Sequence, residues 1–144
     1  MWKNKLCIGT NDQFELSVPE QIKLFKKIGF DGFFTDYTSR EDIAEYRKLA
    51  DELGMIYQSV HAPFIRMNEM WETGEAAAAE LIDCLHACSE NGVPIMVAHT
   101  FIGFNDRNPN EKGLENFGKV VKEAENLGVK VAFENTEGEE YLAA

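Results

Sequence analysis

Four times along this chain a helix-forming segment ends in glycine, one apolar residue follows, and a strand-forming run begins. The glycines are Gly29, Gly54, Gly92 and Gly128. Glycine stops helices because it enters the left-handed backbone region without a Cβ clash. The runs around these stops read as strands Lys5–Gly9, Gly32–Asp36, Ile56–His61, Ile95–His99 and Val129–Glu134. Between them the apolar residues fall at helical spacing. Ile22, Phe25 and Ile28 form one stripe; Ile43, Tyr46, Leu49 and Leu53 form the next. Leu81, Leu85 and Cys88 form a third, and Leu114, Phe117, Val121 and Ala124 a fourth. Ser17 to Glu20, with Pro19 in the first turn, reads as a capping box, and so does Thr38 to Glu41.

Strict strand–helix alternation implies parallel strands joined by right-handed crossovers. Two architectures satisfy it. A doubly wound sheet carries helices on both faces and binds ligands where its strand order reverses. A (β/α)8 barrel puts every helix outside and its site at the C-terminal strand ends. Here polar groups collect at those ends. On strand three the alternation places Tyr57, Ser59 and His61 on one face and Ile56, Gln58 and Val60 on the other. On strand five Lys130, Ala132 and Glu134 oppose Val131 and Phe133. The turn after strand one, Gly9-Thr10-Asn11-Asp12, is not a GxGxxG phosphate loop. The expected fold is therefore α/β, a parallel (β/α) TIM-barrel type. It is incomplete, with about five strands and four helices, since a full barrel takes roughly 200–250 residues or more. Residues 1–144 are expected to form the N-terminal part of one barrel domain, truncated after strand five. Glu139 to Ala144 reads as the first turn of a fifth helix.

Lys plus Arg is 14 and Asp plus Glu is 25, a formal charge of −11. That balance repels a phosphate backbone and argues against a nucleic-acid partner. No run reaches the ~18–20 apolar residues of a membrane span, so no membrane partner is expected. Cys7, Cys84 and Cys88 are an odd number in apolar segments, which fits free thiols, a reducing compartment and a cytoplasmic location.

Three strands end in a side chain able to bind metal or move protons: His61 in SVHAP, His99 in VAHT and Glu134 in AFENT. Imidazole and carboxylate together suit zinc, manganese or a similar divalent ion. Neighbouring strands lie ~4.8 Å apart, so three consecutive strand ends can meet at one ion or one substrate. Cys84, His86 and Cys88 do not form such a set. On a helix His86 lies ~200° from Cys84, which leaves two core thiols and an exposed histidine.

HAP after strand three, AHT after strand four and FENT after strand five resemble the xylose isomerase-like barrel superfamily. That group includes sugar phosphate isomerases/epimerases, ketose 3-epimerases and the zinc apurinic endonucleases. The resemblance implies that Glu134 is a metal ligand and one of two acid–base carboxylates. It implies a divalent cofactor (Mn, Mg, Co or Zn) and proton transfer next to the carbonyl of a sugar or sugar phosphate, through an enediol-like intermediate. His61 and His99 would be metal ligands or line the substrate pocket. The family's other ligands, an Asp, a His and a Glu, come from strands six to eight, so the chain alone is expected to be inactive. Asp36 at the end of strand two and Trp71 in the loop after strand three are candidate substrate contacts, Trp71 as a lid over a sugar. Arg66 and Arg107 are candidates for a phosphate. Two alternatives remain. One is a zinc-dependent apurinic endonuclease-like protein, for which His61, His99 and Glu134 are all zinc ligands. The other is a non-catalytic half-barrel that persists as a homo-oligomer through exposed sheet edges.

Overall fold

The computed structural model describes residues 4–103, 109–134 and 139–143. Arg107 and the Asn135-Thr136 pair of the FENT motif lie outside them. Five strands appear: β1 (Cys7–Gly9), β2 (Gly32–Asp36), β3 (Ile56–His61), β4 (Ile95–His99) and β5 (Lys130–Glu134). The helices are α1 (Val18–Ile28), α2 (Arg40–Leu53), α3 (Glu75–Glu90), α4 (Glu111–Leu127) and the short α5 (Glu139–Ala143). A 3-10 turn spans Met67–Trp71 between β3 and α3. The sheet order is β1-β2-β3-β4-β5, and every pair is parallel. Order that follows the chain without reversal has no switch point, which is the arrangement of a barrel wall. The structure is a partial TIM barrel.

One closure is repeated at each stop glycine. Gly29, Gly54, Gly92 and Gly128 have φ between +60° and +102°. The residue after each donates its N–H to the carbonyl five positions back: Phe30 to Phe25, Met55 to Ala50, Val93 to Cys88 and Val129 to Ala124, at 2.8 to 3.0 Å. This is the Schellman bond, and the apolar residue that makes it tucks back against the helix it ends. Met55, Val93 and Val129 are buried, and Phe30 packs edge-on against Phe25. The chain then re-enters the sheet within one to two residues.

Capping at the helix starts departs from expectation once. At α1 the Glu20 carboxylate reaches back to the Ser17 N–H at 2.8 Å, as foreseen. At α2 the cap is Ser39 rather than Thr38; its hydroxyl accepts from the Asp42 N–H at 3.1 Å. Three stripe residues are also corrected. Ile28, Leu114 and Val121 are exposed. On α4 the inward face carries Gly113, Asn116, Phe117, Val120 and Ala124, one residue round from the expected stripe. A polar residue, Asn116, sits inward because its amide donates to the Met70 carbonyl at 2.8 Å.

Trp71 explains the rest of that face. It is 5% exposed, donates its indole N–H to the Thr100 carbonyl at 2.8 Å, and packs against Phe117 and Tyr141. Tyr141, on α5, also stacks on Phe101 with ring centroids 4.2 Å apart. The indole lies directly on Gly113, where an added Cβ would sit 2.0 Å from its ring. Gly118, five residues along the same helix, has nothing within 4 Å of an added Cβ. Gly113→Ala is therefore expected to destabilise the protein by about 1–3 kcal/mol through overpacking. Gly118→Ala should stabilise it by up to about 1 kcal/mol through helix propensity. Chemical denaturation of the two variants checks this; equal shifts in both would remove the Trp71–Gly113 contact as the cause.

Candidate metal centre

The direction of His61 is set by an irregularity that alternation along β3 does not foresee. Phe33 lies opposite Tyr57, but Phe34 lies opposite Ser59, so Gln58 is an extra residue in the ladder. Such a bulge reverses which face the following residues take. Tyr57 therefore does not share a face with His61, contrary to the simple pattern. It points into the helix layer, 1% exposed, stacked on Phe33 at 4.7 Å and hydrogen-bonded to the Thr35 hydroxyl at 2.6 Å. His61 comes into register with Asp36 on the opposite face.

His99 and Glu134 face each other across β4 and β5, while His61 pairs with Val97, two residues below His99. The three candidate side chains meet despite this offset. The two imidazole Nε2 atoms are 3.1 Å apart. Glu134 Oε2 lies 3.4 Å from His61 Nε2 and 3.6 Å from His99 Nε2. His61 Nδ1 lies 2.9 Å from the Ala62 carbonyl, to which it can donate only if it carries the proton. That tautomer leaves the lone pair on Nε2, aimed at the other two donors. An imidazole lone pair and a carboxylate oxygen at this separation repel unless a cation or proton lies between them.

The triangle also has the dimensions of a coordination site. A tetrahedral ion with bonds of ~2.0–2.1 Å has ligand atoms ~3.3 Å apart, and these three distances bracket that value. Two nitrogens and a carboxylate oxygen, with all three donor atoms within 4.8 Å of one another, fit a divalent metal. The histidine side chains are 20% and 11% exposed, and Glu134 is 48% exposed. The nitrogens are thus held by the fold, and the carboxylate faces the open side.

Phe64 covers the pair. Its ring centroid is 5.6 Å from that of His61 and 5.3 Å from that of His99. The sequence offered Trp71 as the aromatic lid; the structure puts Trp71 in the core and Phe64 over the imidazoles. The signal for Phe64 was its place directly after His61-Ala62-Pro63, before a loop that must turn away from the strand end. Asp36 lines the adjoining cleft of about 490 Å³, together with Asp12, Tyr37 and Arg66. Its carboxylate lies 4.0 Å from His61 Nδ1, the nitrogen that also faces the Ala62 carbonyl. His86 and the two helical thiols stand apart from this centre. His86 pairs with Glu123 at 3.3 Å, and Cys84 and Cys88 are buried.

Two polar clamps hold the loops around the site. Gln21 is buried; its amide donates to the carbonyls of Asn11 and Leu16, and its oxygen accepts from the Asn11 N–H, each at 2.9 Å. This fixes the loop that carries Asp12. Asn68 bonds both backbone groups of Ile102, at 2.7 and 2.8 Å, joining the loops after β3 and β4.

These residues, their order on consecutive strands and the parallel barrel wall agree with a sequence match. Residues 22–142 match the family model for the xylose isomerase-like TIM barrel. The chain belongs to that family. Solved structures show the same fold at low identity. A xylose isomerase domain protein from Planctomyces limnophilus superposes with TM-score 0.73 at 15% identity, over 96% of this chain and 57% of its own. D-Psicose 3-epimerase from Clostridium cellulolyticum H10, solved with D-tagatose, gives 0.71 at 21% identity, over 89% and 51%. The IolI protein with a bound zinc atom gives 0.67 at 19% identity, over 90% and 51%. The chain thus spans about half the length of the structures it resembles. No match was found among curated proteins.

Tyr37 ties this centre to the helix layer. Its N–H donates to the His61 carbonyl at 2.8 Å, and its hydroxyl donates to the Asp83 carboxylate. That bond, and then Arg40 at 2.7 Å, hold Asp83 below the ordinary carboxylate range. A depressed carboxyl contributes stability that is present at neutral pH and lost as pH falls through its folded-state pKa. Tyr37→Phe should cost about 1 kcal/mol or less at neutral pH, given that Asp83 is partly solvated. The cost should shrink on acidification. Urea unfolding at neutral and acid pH checks this; an equal cost at both would exclude the Asp83 linkage.

Proposed function

We propose that this chain is the metal-binding, N-terminal part of a divalent-metal-dependent sugar isomerase or epimerase. The observation that carries the reading is the convergence of His61 Nε2, His99 Nε2 and Glu134 Oε2 at 3.1 to 3.6 Å on the open side of a barrel wall. A divalent cation held there supplies Lewis acidity toward a carbonyl oxygen. The Glu134 carboxylate is the acid–base group, taking a proton from the carbon beside that carbonyl and returning it. His61 and His99 hold the cation and line the pocket, Phe64 limits water at the imidazoles, and Asp36 offers hydrogen bonds to substrate hydroxyls. The solved relatives named for ketose epimerisation support this substrate class.

Net epimerisation needs a second acid–base group on the other face of the substrate. A strand beyond β5 would supply it. A single carboxylate suffices to exchange a proton on one face. The nuclease alternative is disfavoured by the charge of −11 and by the carboxylates around the cleft. We also propose self-association through the β5 edge, beside an apolar groove of about 460 Å³ between α4 and β5. Light scattering showing a stable monomer at micromolar concentration would contradict it.

Zinc or manganese titration should show one site per chain. His61→Ala, His99→Ala and Glu134→Gln should each weaken it at least about tenfold, the cost of losing even an outer-shell partner. Binding should also weaken as pH is lowered, since the ligands must be deprotonated. In D2O the metal-loaded chain should introduce deuterium next to the carbonyl of a ketose without net epimerisation, and Glu134→Gln should abolish this. Affinity unchanged in all three variants, or no Glu134-dependent exchange with any of Mg, Mn, Co and Zn, would sink the reading.

A further inference from the structure

We infer that the cleft beside the metal centre takes an unphosphorylated polyhydroxylated substrate and rejects its phosphate ester. The inference rests on the proposal that His61, His99 and Glu134 form a catalytic metal centre, and it names the substrate class of that site.

The cleft is lined by two kinds of side chain. One is apolar: Pro63, Phe64 and Ile65, with Phe64 42% and Ile65 89% exposed. Leaving such side chains in water is unfavourable, and an aromatic ring beside a polar site suits the C–H face of a sugar. The other kind is carboxylates, those of Asp12, Asp36 and Glu80. Carboxylates accept hydrogen bonds from hydroxyl groups and repel a phosphate dianion. Hydroxyls on one face and C–H groups on the other describe a free sugar or polyol.

Arg66 is the one cationic side chain that lines the cleft among the described residues. It is already engaged. Its guanidinium grips Glu69 through two nitrogens at 2.7 and 3.0 Å and reaches Glu80 at 3.4 Å. A phosphate would have to displace a bidentate carboxylate pair to use it. Metal loading does not reverse the balance. Asp12, Asp36, Glu69, Glu80 and Glu134 surround the site, so a divalent cation and Arg66 still leave it negative. The exposed loop arginine that reads as a phosphate ligand in the sequence is thus a structural partner of two glutamates.

The test uses the whole chain, metal-free and zinc-loaded, with D-fructose and D-fructose 6-phosphate as a matched pair. Binding is followed by titration calorimetry or ligand-observed NMR. Fructose should bind, and the phosphate ester should bind at least about tenfold more weakly, since like charges brought together cost more than the 1.4 kcal/mol that factor represents. Phe64→Ala should weaken fructose binding at least about fivefold. Glu69→Gln combined with Glu80→Gln should narrow the gap between the two ligands, because it frees Arg66. Equal or tighter binding of the phosphate ester, or binding of neither sugar, overturns the inference. Cobalt absorption spectra separate this from failure of the metal centre. Selective fructose binding without a metal spectrum would support the cleft's preference for the free sugar and remove the metal reading that makes it a substrate. A metal spectrum with phosphate preference would do the reverse.

Discussion

The left-handed glycine closure at the ends of α1 to α4 is the constraint on which the rest of the structure depends. The same bond, from the residue after glycine to the carbonyl five back, occurs at Phe30, Met55, Val93 and Val129. It ends each of these four helices and packs one apolar side chain against it. The chain is then delivered to the sheet at a repeated point. Strands launched this way run parallel, in chain order, with their C-terminal ends together. A site made of strand ends follows from that regularity.

The site itself requires a departure from regularity. An unbroken β3 would point His61 the way of Tyr57, toward the helices. The extra residue at Gln58 turns the last part of the strand over, and His61 joins His99 and Glu134. Bulges cluster beside active sites because they re-aim side chains at little cost to the sheet. Here one bulge both buries the Tyr57–Thr35 pair and frees an imidazole.

The barrel wall was legible in the sequence because its signals are local. Stop glycines, a capping glutamate and helical stripes act within a few residues of one another. The convergence of His61, His99 and Glu134 was legible for the same reason, since each ends its strand. What escaped was set by contacts distant in sequence. Trp71 in an open-looking loop is core because Gly113 and Thr100, 29 or more residues away, receive it. The inward stripe of α4 is displaced by one residue because Asn116 satisfies the Met70 carbonyl there, at the expense of Leu114 and Val121. The bulge at Gln58 has no proline or glycine to announce it. Phe64 as the cover of the imidazoles depends on where the loop after β3 turns.

The central claim is that three consecutive strand ends form one cation site from two imidazoles and a carboxylate. Zinc K-edge X-ray absorption on the loaded chain tests it most directly. The account predicts nitrogen and oxygen scatterers at ~2.0–2.1 Å with the outer-shell signature of two imidazoles, one of which disappears in His61→Ala. Sulfur scattering at ~2.3 Å, which would place the ion at Cys84 and Cys88, or a spectrum without imidazole, would contradict it.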